Sequence, residues 1–170
     1  MKIYLKLFLI LIFIFINHSQ SIADQKITFL NLEKILNNSN SGKKIVKNLE
    51  ALKNQNANNF KKKSDEIRIK EENILKQKNI LSKEEFEKKI LNLRQEVDQF
   101  NKNRNKTIKE YEITKKNELD EFLKKITPLI EKYIVENSVS LVLNQKNIFI
   151  ADKKYDITDK IIAIVNENLK

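Results

Sequence analysis

Apolar positions divide the chain into stretches with different periods. Leu7 to Ile16 is an unbroken apolar run, preceded by Lys2 and Lys6 and followed by the small residues Ser21 and Ala23 flanking Ile22. This basic, apolar and small-residue order is that of a secretory signal peptide, and the run is shorter than the roughly 20 residues needed to cross a bilayer. It predicts export, with cleavage between Ala23 and Asp24, and without a Cys to acylate the product is not a lipoprotein. Beyond Gly42 no further Gly or Pro occurs until Pro128, so nothing in the composition forces a helix to stop. Phe86, Ile90, Leu93, Val97, Phe100, Arg104, Thr107, Tyr111 and Thr114 alternate spacings of four and three, the period of a narrow coiled-coil seam. The preceding stretch is thinner: Ile45, Leu49 and Leu52 begin at helical spacing. Phe60, Ile67, Ile74 and Leu81 then recur every seventh residue, with polar residues at the other seam positions.

Between the two seams, Ser82-Lys83-Glu84-Glu85 reads as a capping box that starts a new helix, so Asn79 to Ser82 is the expected reversal. A first helix of about 37 residues, Lys43 to Asn79, spans roughly 55 Å at about 1.5 Å per residue. Around Phe122, Ile126, Leu129, Ile130 and Tyr133 the apolar stripe widens, as it must where a helix leaves a two-helix seam and covers a globular base. Short β-type runs lie outside the hairpin. Ile27 to Leu32 predicts one strand, and Val139 to Leu143 with Ile148 to Ala151 predicts a β-hairpin turning through Asn144-Gln145-Lys146-Asn147. Asp156-Ile157-Thr158-Asp159 supplies cap residues for a last helix through Ile161, Ile162 and Val165.

The expected fold is α+β and mostly helical: a long antiparallel helical hairpin, residues 42–119 with its turn near 79–82, on a small β base from residues 24–41 and 120–170. Three strands and a short helix give too small a core, and too many open edges, to stand alone. The base should therefore complete itself by oligomerisation, with Phe29, Leu141, Leu143, Ile148 and Ile150 as its core.

Composition narrows the function. The chain has no Cys, one Gly, one Pro and one His, and that His18 lies in the segment expected to be removed. Zinc sites of Cys and His, Cys nucleophiles, imidazole bases and Gly-rich phosphate loops are thereby excluded, so no catalytic residue, metal or cofactor is expected. With 33 Lys plus Arg against 23 Asp plus Glu the net charge is +10, and residues 43–117 alone hold 21 basic against 12 acidic residues. The arm is thus the basic part, and exposed arm residues, Phe60, Lys61, Lys62, Lys63 and Ile67, are the expected diffuse contacts for an anionic partner. Nucleic acid would use the same charges, but export argues against it.

The order of pieces resembles the Skp/OmpH family of periplasmic chaperones of outer-membrane proteins. Two end motifs carry the resemblance: Lys26-Ile27-Thr28-Phe29-Leu30-Asn31-Leu32-Glu33-Lys34-Ile35-Leu36 followed by Ser41-Gly42-Lys43, and Ile148-Phe149-Ile150-Ala151-Asp152 followed by Tyr155-Asp156-Ile157-Thr158-Asp159. One departure is Glu136-Asn137-Ser138-Val139, where a member of the family would carry Gly before its penultimate strand. The resemblance implies a homotrimer with a small central barrel and three arms around a cavity. There an unfolded outer-membrane protein is held without ATP. Lipopolysaccharide or an anionic membrane surface is a further candidate partner that the sequence does not decide. The competing reading is an exported structural or surface-binding coiled coil without chaperone activity.

Overall fold

The computed structural model describes residues 26–169; the expected signal peptide and its cleavage site lie outside the described residues. The elements are β1 (Lys26–Leu30), α1 (Leu32–Asn38), α2 (Asn40–Lys76), α3 (Lys83–Glu136), β2 (Val139–Asn144), 3-10 turns at Gln145–Asn147 and Lys153–Tyr155, and α4 (Thr158–Asn168). Among the described residues no helix is long and apolar enough to cross a membrane.

Caps set the boundaries. Asn31 starts α1 by accepting from the Lys34 amide at 2.8 Å. Ser39 ends α1, its amide donating to the Ile35 carbonyl at 2.9 Å, and starts α2, its hydroxyl accepting from the Gly42 amide at 3.2 Å. The two helices therefore share one junction residue, and at this sharp corner a Cβ on Gly42 would lie 2.0 Å from the Leu36 carbonyl oxygen. Only glycine lets the first turn of α2 come so close to α1. At the far end, α2 stops at Lys76 and a turn through Gln77 to Leu81 leads into Ser82. The Ser82 hydroxyl accepts from the Glu85 amide at 3.2 Å while the Glu85 carboxylate accepts from the Ser82 amide at 3.2 Å. That reciprocal box begins α3, which then runs on through Pro128 into the base.

The sheet differs from the expected one. β2 pairs in parallel with β1, in the register Ile27 with Leu141, Thr28 with Val142 and Phe29 with Leu143. A parallel pair needs a crossover, and here the whole helical hairpin is that crossover. The expected antiparallel partner of β2, Ile148 to Ala151, is not a strand. Asn144 caps a 3-10 turn instead of supplying a tight reversal, its side chain accepting from the Lys146 amide at 3.1 Å, and the chain leaves the β2 edge. It returns on the opposite side of β1, where Asp156 bridges Phe29 and the Ile157 amide donates to the Phe29 carbonyl at 2.9 Å. Ile148 to Ala151 thus passes the sheet without a strand partner.

Thr158 fixes that return. Its hydroxyl, fully buried, accepts from the Asn31 amide at 2.9 Å and donates to the Asp156 carboxylate, which also takes the Thr158 amide at 2.9 Å. The start of α4 is thereby tied to the end of β1. Leu30, Ile35, Phe122, Ile126, Tyr133, Val139, Ile157, Ile161 and Val165 form the core, with every helix but α2 and both strands contributing. The widened stripe of α3 buries Phe122, Ile126 and Tyr133, one face at helical spacing, against this cluster. Ser138, just before β2, sits at φ 51°, a left-handed conformation that glycine adopts without cost. Ser138 lies in Glu136 to Val139, the segment where the resemblance leads one to expect Gly.

Candidate functional site

Two surfaces are candidates: the arm formed by α2 and α3, and an apolar face of the base. In the arm, the α2 seam is built from Ile45, Leu49, Leu52, Asn56, Phe60, Lys63, Ile67 and Ile74, all half-buried. On α3, Phe86, Ile90, Leu93, Val97, Phe100, Thr107 and Tyr111 are half-buried as the spacing predicted, whereas Arg104 and Thr114 are exposed. No residue from 43 to 121 is fully buried. The seam is thin because, beyond Leu52, every second α2 seam position is polar: Asn56, Lys63 and Lys70.

Those polar positions are not idle. Lys63 and Lys70, two turns apart on α2, both reach Glu96 of α3 at 2.8 Å, and Lys89 of α3 donates to Gln77 at 2.7 Å. The bond to Lys63, followed by that to Lys70, holds the Glu96 carboxyl below its ordinary range, and the same contact raises the Lys63 ammonium. The ion pairs of Lys63 and Lys70 with Glu96 thus supplement the half-buried apolar seam in the outer half of the arm.

The expected contact residues separate on these facts. Lys61 and Lys62 are exposed, whereas Phe60 and Ile67 face the seam and Lys63 is turned inward onto Glu96 and Glu66. Three lysines adjacent in sequence point in different directions around a helix, so the triplet is not one docking face. Exposed apolar side chains occur elsewhere on the arm: Ile69, Leu75, Ile80, Leu91, Ile108 and Ile113, with Ile80 at the turn 81% exposed. Periodicity could not select these, because a seam pattern reports only what packs. Where seam side chains are short or splayed, gaps open between the helices. One of about 390 Å³ lies between Phe60 and Phe100, beside Arg104; another of about 170 Å³ lies between Phe60, Ile108 and Tyr111, beside Lys53.

On the base, a cavity of about 460 Å³ is lined by Ile27, Phe29, Leu143, Ile148, Ile150 and Tyr155, among others. Of the five residues expected as the core of the base, Phe29 is buried, Leu141 and Leu143 are exposed at 48% and 38%, Ile148 is half-buried and Ile150 is 84% exposed. The structure gathers Phe29, Leu143, Ile148 and Ile150 around this cavity, but within one chain they form an open apolar face and not a core. Phe149 beside them is fully exposed.

Comparison with known proteins agrees with this architecture. The crystal structure of a candidate outer membrane chaperone, described as OmpH-like, from Caulobacter crescentus CB15 superposes with a TM-score of 0.76, covering 85% of this chain and 86% of that one at 16% identity. At that identity the likeness establishes the fold. A search among curated proteins finds no match. The sequence model of the outer membrane protein (OmpH-like) family matches residues 26–165, arm and base together. The chain belongs to the OmpH-like outer membrane protein family.

Proposed function

We propose that the protein is an ATP-independent holdase of the periplasm that binds unfolded outer-membrane proteins between basic coiled-coil arms and prevents their aggregation. The observation that carries this reading is a family match spanning both the arm and the base, which makes the hairpin part of the shared design and not an insertion. The arm itself suits a client of no fixed shape: its seam is half-buried, its charge is positive, and single apolar residues project from it. Many weak contacts of this kind bind without imposing a fold.

The base supports assembly into the homotrimer that the family resemblance implies. Ile150 is exposed where it lines the cavity with β1 and Leu143, Phe149 beside it in the chain is exposed too, and among the described residues β2 has one unpaired edge; apolar surface together with an open edge is what association would cover. In this reading residues 24–41 and 120–170 make the oligomeric base and residues 42–119 the arm, and the first 23 residues direct export. No catalytic residue and no cofactor is assigned.

The test is light scattering of a urea-unfolded outer-membrane β-barrel protein diluted into buffer without nucleotide. Stoichiometric protein should suppress the scattering. Native mass should give three subunits, and Ile150→Asp should lower it; unsuppressed scattering would remove the holdase reading. Adding lipopolysaccharide to the same assay shows whether it competes for the arms.

A further inference from the structure

The positive charge of the arm is unevenly placed. The topology pairs residues 43–59 of α2 with residues 100–117 of α3 next to the base, and leaves residues 60–99 as the outer half. The inner segments together hold ten Lys/Arg and only three Asp/Glu, whereas the outer half holds eleven and nine. Nearly all the excess charge of the arm therefore lies at its root. Pairing differs in the same way. In the outer half, Lys63, Arg68, Lys70 and Lys83 each have a carboxylate partner. Among the described residues the root has one ion pair, the exposed contact of Lys106 with Glu110 at 3.8 Å.

Arg104 makes the contrast sharpest. It occupies a seam position, where a structural coiled coil would place an apolar residue or oppose the charge with an acid, as Glu96 opposes Lys63 and Lys70. Arg104 instead lines the gap between Phe60 and Phe100, and Lys53 lines the adjoining gap between Phe60, Ile108 and Tyr111. Phe60 is common to both. The first gap has Phe60 and Phe100 as its apolar walls and a polar remainder that includes Glu96, already held by Lys63. Among the described residues neither Arg104 nor Lys53 has an ion-pair partner, and such local departures mark binding surfaces.

Resting on the chaperone reading above, we infer that this root site, Lys53, Phe60, Phe100, Arg104, Ile108 and Tyr111, holds acidic stretches of an unfolded chain in which carboxylates alternate with apolar side chains. Lys53 and Arg104 take the carboxylates, and the gaps, of about 170 and 390 Å³, take apolar side chains. A flat bilayer could meet the charges but could not fill gaps recessed between two helices. At physiological salt, charges are screened beyond about 8 Å, so the excess at the root acts on chain already near the base and hardly on chain at the arm tip.

Fluorescence anisotropy of the purified protein tests this, using a labelled peptide that alternates Glu with Phe and Leu. Lys53→Glu/Arg104→Glu should weaken binding about tenfold, whereas Lys78→Glu/Lys88→Glu, two exposed outer lysines carrying the same change in net charge, should weaken it less than about twofold. Lys53→Gln/Arg104→Gln should fall between, with circular dichroism unchanged in all three. Equal losses at root and outer half would overturn the inference. So would equal affinity for poly-Glu, which has nothing to fill the gaps, or dependence on Lys53 and Arg104 for phosphatidylglycerol vesicles but not for the peptide. If the protein still suppresses aggregation of the unfolded barrel protein in those cases, the holdase reading stands and only the root site is lost. Failure to bind either the peptide or the barrel protein would remove both.

Discussion

Base and arm solve the same problem, keeping helices in place, by different means. Every fully buried residue among those described lies within residues 28–42 or 122–165, and none lies between them. The base is held by a small close-packed cluster around Ile35, Ile126, Ile161 and Val165, each with no exposed surface. The arm is held by a half-buried seam, by the Glu96 clamp and by helix propensity. Burial fixes one geometry, whereas partial burial and exposed ion pairs leave many geometries close in energy. A rigid platform carrying pliable arms follows from where the apolar residues fall.

Truncations should divide along that boundary. Ile126→Ala, in the base, should cost about 3 kcal/mol by thermal or urea unfolding, while Leu93→Ala, on the half-buried seam, should cost about 1 kcal/mol or less. Equal costs would mean the arm packs as tightly as the base. Gly42→Ala tests the corner between the two regions. Its Cβ would meet the Leu36 carbonyl oxygen at 2.0 Å, so α2 must shift at its root, and a loss of about 2 kcal/mol is expected. A stable variant with unchanged α1 amide protection would show that the corner yields.

Ser138→Gly should act in the opposite direction. At φ 51° the serine backbone is strained, so glycine should raise stability by about 1 kcal/mol despite its larger entropy in the unfolded chain. An unchanged melting temperature would show that the strain is offset locally. The smallest effect concerns the clamp. Because Lys63 and Lys70 lower the Glu96 carboxyl below its ordinary value of 4.5, the clamp contributes fully above about pH 4.5 and is lost as pH falls through the lowered value. The Lys63 ammonium, raised above 10.5 chiefly by Glu96, sets the alkaline limit in the opposite sense, its contribution being lost as pH rises past the raised value. Hydrogen-exchange protection in residues 60–99, taken relative to the intrinsic rate at each pH, should fall toward acid while that of the base does not, and Glu96→Gln should remove that acid dependence. If Glu96→Gln leaves the exchange and its pH dependence as they were, the clamp contributes nothing to the arm.

Local chemistry made much of this molecule legible from its residues. The 4-3 spacing through Phe86 to Tyr111 specified a seam, the Ser82 to Glu85 box specified where the hairpin turns, and the widening stripe at Phe122 to Tyr133 specified where α3 meets a core. Each of these is encoded by neighbours within two or three helical turns. The strand partners were not legible that way. Val139 to Leu143 and Ile148 to Ala151 look like a hairpin because they are adjacent and apolar, yet β2 pairs with β1 across the whole arm, and the choice depends on a long-range register that only the folded base supplies. The same holds on the arm surface: the Lys61 to Lys63 triplet is conspicuous in the sequence but divides around the helix. Arg104 and Lys53, without an ion-pair partner among the described residues, acquire meaning only when the hairpin brings both to gaps that Phe60 lines, because a charge declares itself unpaired only once its neighbours in space are known.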